Sequence, residues 1–476
     1  MRLTRTDLGD ENSTKREFRF FRRGEEAQAK LKETTEPTVS DEIPTAESQM
    51  ADIAEPDQDY LDLKVQMHQR LIDEVDLTAI EKMGRGELRI QVGKVIEEFL
   101  ADESKALNTS ERERIIDDVI DEILGFGPLE PLLKDDTVSD ILVNTPHEVF
   151  VERKGLLEHT NVRFKDDDHL MRIVERIVVK VGRRVDESNP LVDARLPDGS
   201  RVNVAVPPVA LDGALVSIRK FAKIPFDLQR LVDNNSMPQE CATLLQGIVR
   251  CRLNLLISGG TGTGKTTLLN AVSRFIGDKE RIITIEDAAE LQLQQRHVGR
   301  METRPPNVEG KGEITQRDLV KNALRMRPDR IIVGEVRGGE AFDMLQAMNT
   351  GHDGSITTVH ANTPRDALSR LEQMVSMANL DVPARAVRGQ IASALDVVVQ
   401  IKRFSDGTRR LVSLQEITGM EGDVITMQEI FRFHQDHLTT EGHVVGRFES
   451  TGVRPNFFDA FEANAMDIPE LFVGLK

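Results

Sequence analysis

The chain has 476 residues, room for about three folded units, and 39% are hydrophobic but only 4% aromatic, with no Trp and one Tyr. Cores of Leu, Ile, Val and Ala are open to such a chain, whereas an aromatic cage or a base-stacking platform is not. A net charge of -18 disfavours non-specific attraction to nucleic acid or anionic lipid, and two cysteines, Cys241 and Cys251, make neither a disulfide framework nor a zinc site, which fits a reducing, cytosolic compartment.

Residues 1–23 carry 7 bases against 4 acids, and residues 24–60 carry 11 acids against 2 bases. With Pro37, Pro44 and Pro56 and few large apolar side chains, residues 1–60 read as a disordered acidic region. Within it, Phe18-Arg19-Phe20-Phe21-Arg22-Arg23 reads either as a docking peptide, for a regulatory partner or an anionic surface, or as a solvated tail. Residues 1–30 lack the apolar run of a secretory signal, and no stretch reaches the roughly 18 apolar residues of a membrane span. The expectation is no transmembrane segment, and peripheral membrane association through a protein.

Three amphipathic helices should form a bundle over 61–125. The first carries Leu61, Val65, His68, Leu71, Ile72 and Val75, and the second Leu88, Val92, Val95, Ile96, Phe99 and Leu100. The third opens at a capping box, Ser110 with Glu113, buries Ile115, Ile116, Val119, Ile120, Ile123 and Leu124, and stops at Gly125. From 126 to 222 the period shifts toward two. Ile141–Val143, Val149–Val151, Val202–Val206 and Leu215–Ile218 read as strands, and Leu170, Ile173, Val174, Ile177 and Val181 as one helix face: an α+β domain. After a linker at 223–235, residues 236–435 alternate helix and buried strand as a parallel α/β sheet does, with short strands around Leu411–Ile417 and Val424–Arg432. Residues 436–476 read as an irregular C-terminal tail.

The strongest chemical signal is Gly259-Gly260-Thr261-Gly262-Thr263-Gly264-Lys265-Thr266, followed by Thr267. It ends the apolar strand Leu253–Ser258 and opens a helix, which is the context a P-loop requires. Glycines let backbone N–H groups face a phosphate chain, and the helix N-terminus adds partial positive charge. Lys265 can reach the β- and γ-phosphates of ATP, and the Thr266 hydroxyl can ligate Mg²⁺. Arg330-Ile331-Ile332-Val333 ends in Gly334-Glu335, at the strand end where ligands lie, so Glu335 either holds the attacking water or completes the metal shell. Ile282–Ile285 ends in Glu286-Asp287, and either acid can orient Mg²⁺ through water. His352 and His360, eight apart in a Gly/Ser/Thr-rich segment, read as γ-phosphate sensors, as braces of a switch loop, or as structural or solvated residues. A P-loop site also needs an arginine against the transferred phosphoryl. Arg195, Arg201 and Arg219 in the preceding domain are candidates, as are Arg325, Arg327 and Arg337.

The P-loop, Ile283-Thr284-Ile285-Glu286-Asp287, Val333-Gly334-Glu335-Val336-Arg337-Gly338 and the Thr350–Asn362 segment, in that order, resemble the secretion-system traffic ATPases. Gly125-Phe126-Gly127-Pro128-Leu129-Glu130-Pro131-Leu132-Leu133, residues 194–208 and Ser217-Ile218-Arg219-Lys220-Phe221 are similar to the CpaF branch, the assembly ATPases of tight-adherence pili. The resemblance covers about 115–435. It implies an α/β, RecA-like P-loop domain behind a PAS-like α+β domain, and a homohexamer holding ATP and Mg²⁺ between them and driving inner-membrane pilus platform proteins. It maps the family's Walker A onto Gly259–Thr266, its Asp box onto Glu286 and Asp287, its Walker B carboxylate onto Glu335 and its His box onto His352–His360. Its inter-domain arginines fall at Arg195, Arg201 or Arg219. Two cysteines ten apart cannot build the tetracysteine zinc module that the type II secretion and type IV pilus extension branch usually carries. That moves the reading toward the tight-adherence or type IV secretion branches. A DNA motor would want a basic face, and residues 61–476 hold 53 bases against 65 acids, so no nucleic-acid partner is expected. The remaining rival is a scaffold that binds ATP without splitting it.

Overall fold

The computed structural model describes residues 85–102, 108–221, 227–306, 310–378 and 381–473. The expectations for 1–60 and for the first helix at 61–75 lie outside the described residues. Helices α1 (Arg85–Asp102) and α2 (Thr109–Leu124) pack Leu88, Val92, Ile96 and Phe99 against Ile115, Val119 and Ile120. The expected cap at Ser110 is corrected by two residues. Asn108 accepts from the Glu111 N–H and Glu111 accepts from the Asn108 N–H, because Asn is as strong an N-cap as Ser and lies first in the chain. Gly125 does end α2.

After the short α3 (Glu130–Lys134) come β1 (Val138–Thr145), β2 (Glu148–Arg153), β3 (Leu156–His159), α4 (Asp167–Lys180), β4 (Leu191–Arg195), β5 (Arg201–Ala205) and β6 (Leu215–Arg219). They form a six-stranded antiparallel sheet in the order β3-β2-β1-β6-β5-β4. One face is covered by α4 through Leu170, Ile173, Val174 and Ile177. Strand β3 went unread because all four of its residues are exposed, so it shows no alternation.

The second unit contains α5 (Leu228–Asp233), α6 (Gln239–Arg250), β7 (Leu255–Gly259), α7 (Lys265–Ser273), β8 (Ile282–Glu286), β9 (Val298–Glu302), α8 (Gln316–Ala323) and β10 (Arg330–Val336). It continues through α9 (Glu340–Asn349), β11 (Ile356–Val359), α10 (Pro364–Met377), α11 (Ala384–Ala394), β12 (Val397–Arg403), β13 (Arg409–Glu421), β14 (Val424–Leu438), β15 (Val444–Ser450) and α12 (Phe458–Ala463). The nine strands run β15-β14-β13-β12-β7-β11-β10-β8-β9, parallel from β12 to β9 and antiparallel from β12 to β15. The parallel strands inside the sheet, β7, β8, β10, β11 and β12, are buried on both faces, as continuous apolar runs such as Leu255-Leu256-Ile257 require, whereas the edge strand β9 is not.

The stretch read as an irregular tail is part of this unit. β14 reaches Leu438, β15 extends the sheet, and α12 seats Phe458 and Phe461, with Phe472, in the core beside Phe431. A Cβ on Gly247 would lie 2.3 Å from the Phe461 ring, so that glycine of α6 is the seat of the aromatic cluster. The buried Glu416 carboxylate of β13 accepts the N–H groups of Asn456 (3.0 Å) and Phe457 (2.9 Å), tying the segment down.

Candidate functional site

Strand β7 delivers the chain to Gly259 and α7 takes it up at Lys265, so the loop between them is a sharp strand-to-helix turn. Gly262 and Gly264 hold φ angles of +67° and +96°, which an L side chain enters only with strain. Lys265 Nζ donates to the carbonyls of Gly259 (3.0 Å) and Gly260 (2.9 Å), folding its ammonium back over the loop. Burial pulls this lysine below its usual value, against the negative charge of Glu335, which favours the protonated form. A half-buried cation with only carbonyl partners is a ready counter-charge for phosphate. Thr266 and Thr267 stand half-buried in the first turn of α7.

Glu335 lies where β10 breaks register with β11, and the Thr358 hydroxyl clamps that break by donating to the Gly334 carbonyl at 2.7 Å. Arg337 donates to Glu335 Oε2 (2.6 Å) and to Asp287 Oδ2 (3.1 Å), joining the acids of β10 and of the turn after β8. Burial works against the Arg337 charge, but the hydrogen bond to Glu335 together with the negative charges of Glu335, Asp287 and Glu290 outweighs it and raises the guanidinium's pKa. Burial pushes the Asp287 carboxyl up, partly countered by Arg337. Glu286 is used differently from the expectation. It is 2% exposed, and its Oε2 accepts the N–H groups of Glu290 (2.6 Å) and Leu291 (2.7 Å), with burial raising its pKa against those bonds. That carboxylate anchors the loop after β8, and Asp287 is the acid of the pair that faces Glu335. Glu290, which the sequence reading passed over, adds negative charge that acts on Lys265.

The two histidines part company. β11 separates them, so His360 stands exposed at the strand's carboxyl end, beside the P-loop strand β7. His352 lies at the opposite end, where its backbone and ring both face the Ala347 carbonyl. Of the two, only His360 stands at the sheet edge where the P-loop begins.

The α+β sheet brings the three candidate arginines into one row. Arg195 pairs across strands with Arg201, Arg201 with Arg219, Arg219 with Asp140, and Asp140 with Glu152. Five neighbouring strands at about 4.8 Å spacing carry this row over about 19 Å. Its members meet different parts of the second unit. Arg195 pairs with Glu302 of β9 at 3.2 Å, and Arg201, bound to Asp193 at 3.4 Å, acts on Asp287. Arg219 is exposed, makes no ion pair among the described residues, and its charge acts on Lys265. Glu152 holds Arg403 and Arg409 at 3.1 and 2.8 Å, and Arg409 donates to the P-loop carbonyl of Gly262 at 2.7 Å. Nothing local marks these last three residues as a set, since Glu152 is about 250 positions from its partners.

Among the described residues no group of three His, Cys, Asp or Glu converges to hold a metal. One hydroxyl, Thr266, and one half-buried carboxylate, Asp287, suit a small hard cation that keeps most of its waters and takes the rest of its ligands from phosphate.

The family described as type II/IV secretion system protein matches residues 122–430, and the N-terminal domain of type II secretion system protein E matches residues 60–124. A Mycobacterium tuberculosis protein named for conjugal transfer is 40% identical over 321 residues, 66% of this chain and 90% of that protein. The type IV secretion system protein VirB11 of Bartonella quintana is 32% identical over 315 residues, 58% of this chain and 87% of its own. Among solved structures, the VirB11 ATPase of the Brucella suis type IV secretion system, in complex with sulphate, is 29% identical, covers 61% of this chain and 95% of its own, and has a TM-score of 0.33. No helix among the described residues is long and apolar enough to cross a membrane.

Proposed function

This chain belongs to the type II/IV secretion system protein family, and from that premise we propose that it is a hexameric ATP hydrolase powering assembly of a tight-adherence pilus. It would act at the cytoplasmic face of a bacterial inner membrane, on the platform proteins of the pilus, with residues 1–125 receiving a regulatory partner. The observation that carries the hydrolase reading is that the P-loop lysine, Lys265, and the strand-end acid, Glu335, both half-buried, stand at the carboxyl ends of the parallel strands, near enough for the acid's charge to act on the lysine.

In this reading the loop amides of Gly260 to Thr266, with Lys265 and Thr267, bind the phosphates, and Thr266 with Asp287 holds Mg²⁺ partly through water. The bound cation supplies charge neutralisation at the phosphates. Arg337 occupies Oε2 of Glu335 while Oε1 has no partner among the described residues, so Oε1 is the oxygen that orients water. Water adds to the γ-phosphorus, the bond to the β-bridging oxygen breaks, and ADP and phosphate leave. Arg219 stabilises the charge on the transferred group. Purified protein should turn over ATP with Mg²⁺, and Lys265→Ala and Glu335→Gln should each lose that turnover while keeping the wild-type unfolding midpoint. A fully active Glu335→Gln enzyme removes Glu335 from the mechanism.

The residues that favour the tight-adherence branch are the segments at 125–133, 194–208 and 217–221. The second reading, a DNA- or protein-translocating motor of a type IV secretion system, is favoured by the relatives named for conjugal transfer and type IV secretion. Deleting the gene and scoring pili against conjugation frequency separates the two. ATPase stimulation by DNA at low salt, where phosphate contacts are strongest, supports the second.

A further inference from the structure

The outer face of the P-loop is held by Arg409 of its own unit, and that arginine is held in turn by the other domain. Glu152 of β2 is a mostly buried carboxylate that accepts from Arg409 Nη2 at 2.8 Å on one oxygen and from Arg403 Nη1 at 3.1 Å on the other. Arg409 spends its Nε–H on the Gly262 carbonyl at 2.7 Å, and Arg403 also donates to the Gly155 carbonyl. Arg403 Nη1 lies 3.3 Å from where a Cβ of Gly262 would stand. Beside this fork the β2–β3 and β12–β13 turns meet backbone to backbone: a Cβ on Gly155 would lie 2.5 Å from the Gly407 carbonyl oxygen, and one on Gly407 would lie 2.8 Å from that of Lys154. The hydrolysis scheme uses none of these contacts.

Their geometry has a consequence inside the loop. A guanidinium is planar and rigid, so fixing its Nη2 edge on Glu152 also fixes the direction of its Nε–H. The peptide joining Gly262 to Thr263 is planar and trans, so a carbonyl held outward by Arg409 turns the Thr263 N–H inward. Gly262, at φ +67°, has the freedom to let that peptide flip, and the Arg409 bond removes it.

We propose that Glu152 is a positioning residue for phosphate binding, acting through Arg409 and the Gly262 carbonyl to aim the Thr263 amide into the P-loop. Nucleotide affinity thereby depends on the α+β domain being docked. The proposal rests on the nucleotide reading above.

The test is a double-mutant cycle in the full chain, with Mg²⁺–ADP binding read by calorimetry beside the thermal midpoint of each protein. Glu152→Gln and Arg409→Ala should each weaken ADP by about tenfold, as loss of a charge-assisted hydrogen bond does. The double variant should be within about threefold of either single, because one relay can be broken only once. Fold losses that multiply in the double variant overturn the proposal. So does Glu152→Gln binding ADP like wild type with only a lower midpoint, the result expected of simple inter-domain glue. If Glu152→Gln does not fold, Arg409→Lys decides. It keeps the charge facing Glu152 but has no Nε donor for Gly262, so wild-type ADP affinity in that variant overturns the relay. A wild-type chain that binds no ADP sinks the nucleotide reading instead.

Discussion

Arg219→Ala is the sharpest probe of the arginine row. Its neighbours are already committed, Arg195 to Glu302 and Arg201 to Asp193, whereas Arg219 makes no ion pair among the described residues and acts on Lys265. A guanidinium about 4 Å from developing phosphoryl charge, at an effective dielectric of about 20, contributes about 4 kcal/mol. That is about a thousandfold in kcat, the low end of what an arginine finger supplies. Arg195→Ala breaks a largely exposed pair worth at most about 1 kcal/mol, a change of about fivefold or less. Steady-state ATPase rates at saturating ATP, with ADP affinity measured alongside, separate catalysis from binding. The influence of Arg219 on Lys265 within one chain also predicts that mixing Arg219→Ala with Lys265→Ala subunits restores nothing. An Arg219→Ala enzyme within threefold of wild type, or activity regained on mixing, refutes the assignment.

Glu286→Ala strands the N–H groups of Glu290 and Leu291 and should cost about 2–4 kcal/mol, read as a lower unfolding midpoint. Glu286→Gln keeps an acceptor and should retain both midpoint and ATPase; lost ATPase at an unchanged midpoint would return Glu286 to the chemistry. Lys265 has a depressed pKa, and phosphate favours its protonated form, so ADP affinity should be full below that depressed value. Affinity should then fall, with proton uptake on binding, as pH rises through it and before the usual 10.5 is reached. Calorimetry in two buffers of different ionisation enthalpy checks the uptake. Gly247→Ala drives a methyl into the Phe461 ring and should destabilise by about 1–3 kcal/mol without changing ADP affinity.

The P-loop was legible because its backbone demands its residues: Gly262 and Gly264 sit at positive φ, and only a few sequences satisfy two such positions before a helix. Glu335 was legible for a related reason, since Arg330 to Val333 is a wholly buried run and the residues that follow it stand at the ligand end of the sheet. His352 misled because the Thr350–Asn362 segment reads as one motif, yet a four-residue strand inside it carries its two ends to opposite edges of the sheet. The α12 segment was hidden because six residues are too few to display a helical period, and its buried phenylalanines lie among acids that read as tail. The row from Arg195 to Glu152 needs the strand order β4-β5-β6-β1-β2, a non-local fact no spacing along the chain encodes.

That row also bears on why closure would depend on nucleotide. Across the two units its charges are complementary at both ends: Arg195 meets Glu302, Arg201 acts on Asp287, and Glu152 meets Arg403 and Arg409. Asp140 extends the acidic end and acts under the charges of Arg219 and Arg409. The mismatch is at the centre, where Arg219 acts on Lys265 as like on like and helps to depress the lysine's pKa. Like charges in a partly desolvated cleft oppose docking of the sheet, while the flanking pairs favour it. An anion placed between the two cations reverses the sign of the central contribution and leaves the flanking ones unchanged. A phosphate chain on Lys265 is such an anion. Its arrival and departure would therefore switch the one unfavourable position in an otherwise matched interface, so the energy of docking follows the phosphate content of the site.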